Sequence, residues 1–323
     1  MQTTLEHTRQ ALQVGTHLGP YLLVKHVQQG GMASVYLGSH LSQRAYVAIK
    51  VVDSSTADMR LWRREQDMLQ AFHHTHIVPC LDAGHDGKYA YLVMPNLSGG
   101  TLKDMLDERV LTLEEASDVL EQLTSALAYV HALGILHRDI KPSNLLFNRD
   151  GCLYLTDFGI ASWRGERPGR NGHVMGTAHY TAPELFFAGC VDERSEVYSV
   201  GILLYQILTG SLPFDGPDYW KICLQQRETQ SLAPSILNPA LPRSVEEVIL
   251  GALAKDPDSR YQTVEELLRA FRKALDAPTF FEHLSACCQA TCQKLRVCLA
   301  PETPGWQPGD ALAAPLRIRG FPS

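Results

Sequence analysis

The stretch ILHRDIKPSNLLF at residues 135–147 sets a histidine, an arginine and an aspartate side by side. Lys141 and Asn144 follow, and the frame around them is apolar. Charged groups are costly to bury unless they have partners or a task. The stretch follows neither the helical nor the strand period. It reads as a loop that delivers several polar groups to one place. Glu65, in ADMRLWRREQDMLQAF, is equally out of place. Leu61, Met68, Leu69 and Phe72 repeat there at helical spacing, and Glu65 falls on the same face. A carboxylate in that position calls for a buried cation.

The rest of the chain must position these groups. Its 323 residues correspond to about two compact units, and the 45% of apolar residues suffices for a sizeable core. The formal net charge is −6 and no dense Lys/Arg block stands out, which argues against nucleic acid as the main partner. The opening MQTTLEHTRQALQVG lacks the basic start and apolar stretch of a signal peptide. No apolar run approaches the ~18 residues of a membrane helix; the longest, 197–208, is interrupted by Ser199 and Gln206. The expectation is a soluble cytoplasmic protein with no membrane span. Of eight cysteines, Cys80, Cys152, Cys190 and Cys223 are scattered, and Cys287, Cys288, Cys292 and Cys298 cluster. Without a secretory signal, reduced thiols are expected. The cluster lacks the paired C-x-x-C of common zinc sites, so ordinary thiols on a helix are expected over a metal or redox site.

YLLVKHV, SVYLGSH and AYVAIKVV alternate apolar and polar residues and predict three antiparallel strands. The helix carrying Glu65 follows, then HIVPCLD and YAYLVM as two more strands. After LSGGTL the pattern changes. Leu113, Ala116, Leu120, Leu123, Leu127 and Val130 predict a long amphipathic helix stopped near Gly134. SEVYSVGILLYQILTG is apolar nearly all round and predicts a buried central helix ended by Gly210. SVEEVILGALAK and TVEELLRAFRKAL predict two further helices. The predicted organisation is a leader over 1–20, a small sheet lobe over 21–97, a mainly helical lobe over 98–276, and a Pro- and Gly-rich tail over 277–323. Residues 98–100 form the hinge, and a cleft between lobes is a common ligand site.

Three more motifs join the opening loop: VAIK ending at Lys50, DFG at 157–159, and APE at 182–184. In this order and spacing the set resembles the eukaryotic-type protein kinase signature, over roughly residues 21–276. It looks most like the bacterial Ser/Thr protein kinases. The resemblance implies an α+β, bilobal protein-kinase-like fold, with a small antiparallel-sheet N-lobe carrying one helix and a larger, mainly helical C-lobe. It implies ATP and Mg²⁺ as cofactors, and protein substrates offering Ser/Thr hydroxyls.

Residue by residue, the resemblance gives Lys50 the α- and β-phosphates and Glu65 the task of holding Lys50. Asp157 and Asn144 are implied as Mg²⁺ ligands, since Mg²⁺ prefers oxygen. Asp139 is implied as acceptor of the substrate hydroxyl proton, Lys141 as stabiliser of the transferring phosphate, and Thr177 as the residue joining these two. Val27, Gly30, Gly31, Val35, Ala48, Met94, Leu97 and Leu146 match the nucleotide pocket, with Met94 before the hinge segment PNL at 95–97, whose backbone groups are implied to bond the adenine edge. Leu69, His137 and Phe158 match a stacked spine, and Glu184 with Arg260 a buried ion pair. Each residue alone has a plainer reading: a strand lysine reaching solvent, a helix-face charge, a turn aspartate. In this resemblance His137 itself is structural and not a base.

Three departures bear on activity. The glycine-rich loop reads QQGGMASV, with Gln28 and Ala33 at two glycine positions; the Cβ of Gln28 restricts the backbone, and weaker nucleotide binding is expected. Glu196 stands where the family has aspartate, and a looser hold on the catalytic loop is expected. Arg138 usually accompanies activation by phosphorylation, yet IASWRGERPGRNGHVMG contains one hydroxyl, Ser162. The expectation is independence from loop phosphorylation, with Glu166 supplying the charge. The rival readings are a pseudokinase acting as a nucleotide-binding scaffold, and a small-molecule phosphotransferase. GTAHYTAPE resembles a protein-docking loop and disfavours the latter.

Overall fold

The computed structural model describes residues 12–30, 33–43, 45–166, 177–187 and 191–277. All lie in one compact unit, Met1–Ala277. Gly31, Cys190, the cysteine cluster and the 278–323 part of the predicted tail lie outside the described residues.

The first lobe is a six-stranded sheet in the order β1-β2-β3-β4-β6-β5. Its strands are β1 His17–Leu18, β2 Tyr21–Gln29, β3 Ser34–His40, β4 Tyr46–Asp53, β5 Asp82–Asp86 and β6 Tyr89–Pro95. Every pairing is antiparallel. The pleat sends successive side chains to opposite faces. In β4, Val47, Ile49 and Val51 therefore join Leu23, Tyr36 and Tyr91 in one apolar cluster. Ala48 and Val52 face the other cluster, which continues into the second lobe.

Helix α1, Met59–Ala71, starts where the Asp58 side chain accepts from Arg60 N. Its buried residues are Trp62, Glu65, Met68 and Leu69. The sequence expectation placed Leu61 on that face and overlooked Trp62. The buried stripe is turned by one residue, and Leu61 sits half-buried at its edge.

HIVPCLD is not a strand. Pro79 lacks the N–H that a ladder needs, and the pairing strand begins only at Asp82. The segment before Pro79 ties the lobes together instead. Leu155 N donates to His76 O at 2.8 Å and Val78 N to Leu155 O at 3.0 Å, with Ile77 and Val78 buried.

The second lobe contains α2 Leu102–Glu108, α3 Leu113–Ala132, α4 Pro183–Phe187, α5 Glu193–Thr209, α6 Tyr219–Glu228, α7 Pro234–Leu237, α8 Arg243–Ala252 and α9 Val264–Leu275. Short strands interrupt it: β7 Ile135–Leu136, β8 Leu145–Phe147, β9 Leu153–Leu155 and β10 Ser162–Trp163. The long predicted helices are present. α3 opens on a capping box of Thr112 and Glu115 and stops before Gly134, whose φ is +73°. α5 is buried nearly throughout and ends at Gly210 in the left-handed conformation. The sequence reading did not anticipate α2, α4, α6 or α7. In α6 the apolar residues follow no helical stripe, and Trp220 is 72% exposed.

Residues 98–100, between the two lobes, are stapled to β8. Gly99 N donates to Phe147 O and Phe147 N to Gly100 O, both at 2.9 Å. A Cβ on Gly99 would lie 2.7 Å from Phe147 O and closer still to Asn148 O. Backbone cannot yield as a flexible side chain does. Gly99→Ala is therefore expected to destabilise the fold by about 2 kcal/mol, a fall in melting temperature of roughly 4–8 °C by calorimetry. An unchanged melting temperature would show that the staple is dispensable.

Candidate active site

Lys50 lies on the cleft side of β4. Its Nζ donates to Glu65 Oε1 at 2.5 Å and to Asp157 Oδ1 at 2.9 Å. Burial opposes the ammonium charge, but the attraction of Glu65 and Asp157 outweighs it and holds Lys50 protonated above the ordinary lysine value. Burial pushes Glu65 up against the pull of Lys50. Burial also works against the Asp157 charge, yet Lys50 holds that carboxyl below its ordinary value. The buried cation that Glu65 called for is thus Lys50, 15 positions away in sequence.

Asp157 follows β9 with φ +67°, a left-handed conformation that costs a residue with a Cβ roughly 1–2 kcal/mol. Its neighbour Phe158 is buried against His137, with ring centroids 4.6 Å apart, and against Phe72 at 5.0 Å. Leu69 belongs to the same apolar cluster. His137 is fully buried. Its Nδ1 accepts from Asp139 N at 3.2 Å, and its Nε2 bonds Thr156 O at 2.9 Å. Both ring nitrogens are occupied, which leaves His137 a structural part.

Arg138 is the second residue at positive φ, +68°. Glu196 anchors it: Oε1 accepts from Arg138 N at 2.7 Å, and Oε2 pairs with His131 Nε2 at 2.5 Å. Burial works against the Glu196 charge, but the His131 bond and the Arg138 N–H hold its carboxyl below the usual value. Glutamate therefore does reach the catalytic loop from α5, and its second oxygen has its own partner on α3.

Asp139 is held on one oxygen. Lys141 Nζ at 2.5 Å and Asn144 Nδ2 at 3.0 Å both donate to Oδ2. Oδ1 receives only the long contacts from Thr177 N and Oγ1, both 3.4 Å. Lys141 Nζ also reaches Thr177 Oγ1 at 3.1 Å. The turn at Pro142–Asn144 aims Asn144 back at this group, and its Nδ2 bonds Asp139 O at 2.8 Å.

These groups line one cavity of about 680 Å³ between the lobes. Val27, Gly30, Val35, Ala48, Met94, Leu97 and Leu146 form its apolar walls, while Lys50, Glu65, Asp139, Lys141, Asn144, Asp157 and Thr177 supply its polar end. Every predicted site residue among the described ones is therefore in one place. β6 stops pairing at Pro95, so the main-chain groups of Asn96 and Leu97 meet the cavity without a ladder partner. Gln28 also lines it; it pairs with Val35 in the ladder, an extended conformation that a Cβ tolerates.

The sequence reading missed Leu61, Trp62, Thr156 and Ile160 on the walls, and the partner of Glu166. Arg64 Nη1 donates to Glu166 Oε1 at 3.0 Å and Nη2 to Oε2, a bidentate pair spanning 102 residues. No local pattern announces it. The expected lower brace is present: Arg260 bonds both oxygens of Glu184, at 2.7 and 2.9 Å.

Comparison with known proteins agrees with this geometry. The protein kinase domain family matches residues 21–271. The chain is 36% identical to serine/threonine-protein kinase PrkC of Bacillus subtilis over 265 residues, 80% of this chain and 41% of that protein. It is 36% identical to a probable serine/threonine-protein kinase PknB of Lactococcus lactis over 258 residues, 77% of this chain and 41% of that protein. It is 34% identical to serine/threonine-protein kinase PknB of Mycobacterium tuberculosis over 277 residues, 82% of this chain and 43% of that protein. The chain thus spans about two fifths of the length of these curated relatives. A cleft that gathers two lysines, three carboxylates and asparagine from distant segments, and a family match over most of the sequence, lead to one conclusion: the chain belongs to the protein kinase domain family.

Proposed function

We propose that the protein transfers the γ-phosphoryl group of ATP to serine or threonine hydroxyls of other proteins. One observation carries the reading: the Lys50–Glu65–Asp157 trio and the Asp139–Lys141–Thr177 group meet in a single cleft. Phosphoryl transfer is mostly positioning and charge stabilisation, and these residues are of the required kinds. The adenine would lie between the apolar walls, against the open main chain of Asn96 and Leu97. Lys50 would meet the α- and β-phosphates. The donor set also fits Mg²⁺. Among the described residues Asp157 Oδ2 and Asn144 Oδ1 make no hydrogen bond: Lys50 takes the other Asp157 oxygen and Asn144 spends its amide N–H on Asp139. Two hard oxygens with phosphate and water completing the shell is an ordinary arrangement for this ion. When bound it would neutralise phosphate charge. Asp139 Oδ1, which receives only the long contacts from Thr177, is the oxygen placed to take the hydroxyl proton as the new O–P bond forms and the bond to ADP breaks.

Among the described residues no helix is long and apolar enough to cross a membrane. A cytoplasmic site of action is part of the proposal, because ATP is the substrate. The test is incubation with Mg·ATP and a generic protein substrate, followed by phosphoamino-acid analysis. Phosphoserine or phosphothreonine supports the reading. Nucleotide binding without transfer would favour the scaffold role.

The proposal includes activity without loop phosphorylation. Ser162 is 3% exposed, a poor acceptor, and the loop contains no other hydroxyl before Thr177. Glu166 supplies a charge instead. The Arg64 bond holds its carboxyl below the ordinary value, so the clamp persists at neutral pH and is lost only as pH falls through that lowered value. Arg64 adjoins Glu65, and the clamp fixes the rotation of α1 that presents Glu65 to Lys50. Arg138 is also within the field of Glu166. Glu166→Gln is expected to lower kcat roughly tenfold, the loss of one charge-assisted bond. Ser162→Ala is expected to stay active with a loop unmodified by mass spectrometry. An inactive Ser162→Ala would contradict this.

A further inference from the structure

Gln226 on α6 is fully buried. A buried amide is costly unless all its groups are bonded, and here they are. Nε2 donates to His179 O at 2.8 Å and to Ala178 O at 3.3 Å. Oε1 accepts from the Tyr198 hydroxyl on α5. Both carbonyls can only accept, so the amide has a single workable orientation. The main chain of Gln226 is fixed as well, because Lys255 Nζ donates to its carbonyl at 2.6 Å while lying over the Phe214 ring at 4.1 Å.

The two carbonyls belong to the segment directly after Thr177. That segment is pinned at its other end through Thr177 to Lys141 and Asp139. Tyr180 and Thr181 close a turn on Thr177 and Ala178. A trans peptide carries its N–H opposite its C=O, and no described peptide is cis. Drawing Ala178 O toward α6 therefore turns His179 N–H away from it. That N–H has no partner within the described residues.

From this we infer that Gln226 is a positioning residue for an extended polypeptide substrate: it orients the Ala178–His179 peptide so that its N–H is offered to a substrate carbonyl beside Asp139. The inference rests on the proposed protein kinase activity. It adds a residue with no contact to nucleotide and separates the two substrates, because Gln226 acts on the docking segment and the walls of the nucleotide cavity do not include it.

The test is steady-state kinetics on the full chain with Gln226→Glu and Gln226→Met. Glutamate keeps the acceptor for Tyr198 and removes the donors to both carbonyls; methionine keeps the volume and removes both functions. The expected result is a KM for a protein substrate raised roughly tenfold or more in either variant. The KM for ATP and the Kd of a fluorescent ATP analogue should stay within about twofold of wild type. Melting curves confirm that each variant folds; if Gln226→Glu does not, Gln226→Met carries the same expectation. A protein KM that does not move overturns the inference. So does a parallel rise in both KM values, or loss of nucleotide binding in both variants, since Gln226 would then support the lobe as a whole. A wild-type protein that phosphorylates nothing would instead remove the kinase reading on which the inference stands.

Discussion

Asp139→Asn is expected to lower kcat by about a hundredfold or more and to leave ATP affinity within about twofold. The substitution preserves shape and changes one capacity. Lys141 and Asn144 both donate to the same oxygen of Asp139, and the asparagine carbonyl can still accept from them. That choice forces the new NH₂ into the place of Oδ1, where Thr177 N and Oγ1 and the proposed substrate hydroxyl all present hydrogens. An NH₂ there can only donate, so the proton of the attacking hydroxyl has nowhere to go. Single-turnover transfer with a bound fluorescent nucleotide separates the two effects. A variant retaining more than about a tenth of the wild-type rate would mean that proton acceptance by Asp139 matters little.

Lys50→Met acts through charge. Removing the ammonium leaves the Glu65 and Asp157 carboxylates facing one another, with the Glu65 side chain only 4% exposed. A buried carboxylate stripped of its cation takes up a proton instead of staying charged. Two results are expected. Loss of the cation at the α- and β-phosphates should lower kcat/KM by roughly 10²–10³, as for removal of one preorganised electrostatic donor. The stability profile should also steepen at Glu65. Its folded pKa, already raised by burial, rises further, so its contribution is complete below the unfolded value and lost as pH rises through the folded one. Melting temperature measured against pH should therefore fall toward alkaline pH more steeply in Lys50→Met than in the wild type. Parallel profiles would show that Glu65 does not depend on Lys50.

The legibility of the site follows from how each part is encoded. HRDIKPSN delivers Asp139, Lys141 and Asn144 from one short loop, so their gathering was legible from adjacency and their roles came from the family resemblance; the tertiary structure adds that Oδ2 takes the two close donors and Oδ1 only the long contacts from Thr177. Glu65 was readable because the helix period places it on an inward face, and Lys50 because it ends the VAIK motif that carries the resemblance. HIVPCLD failed because Ile77 and Val78 are buried between two lobes and not in a ladder, and burial looks the same in sequence whichever it serves. α6 went unseen because only Ile222, Cys223 and the polar Gln226 are buried in it, while Trp220 and Leu224 are exposed.

The sequence by itself determined the periodic elements and the types of group available, since these depend on neighbours a few positions apart. Only the tertiary structure decided the pairs that cross the chain: Lys50 with Asp157, Arg64 with Glu166, Arg138 with Glu196, and Gln226 with the Ala178–His179 carbonyls. Each joins residues 47 to 107 positions apart. Such contacts form only when the packing of whole helices and strands fixes where their side chains end, and no local pattern in the sequence records that distance.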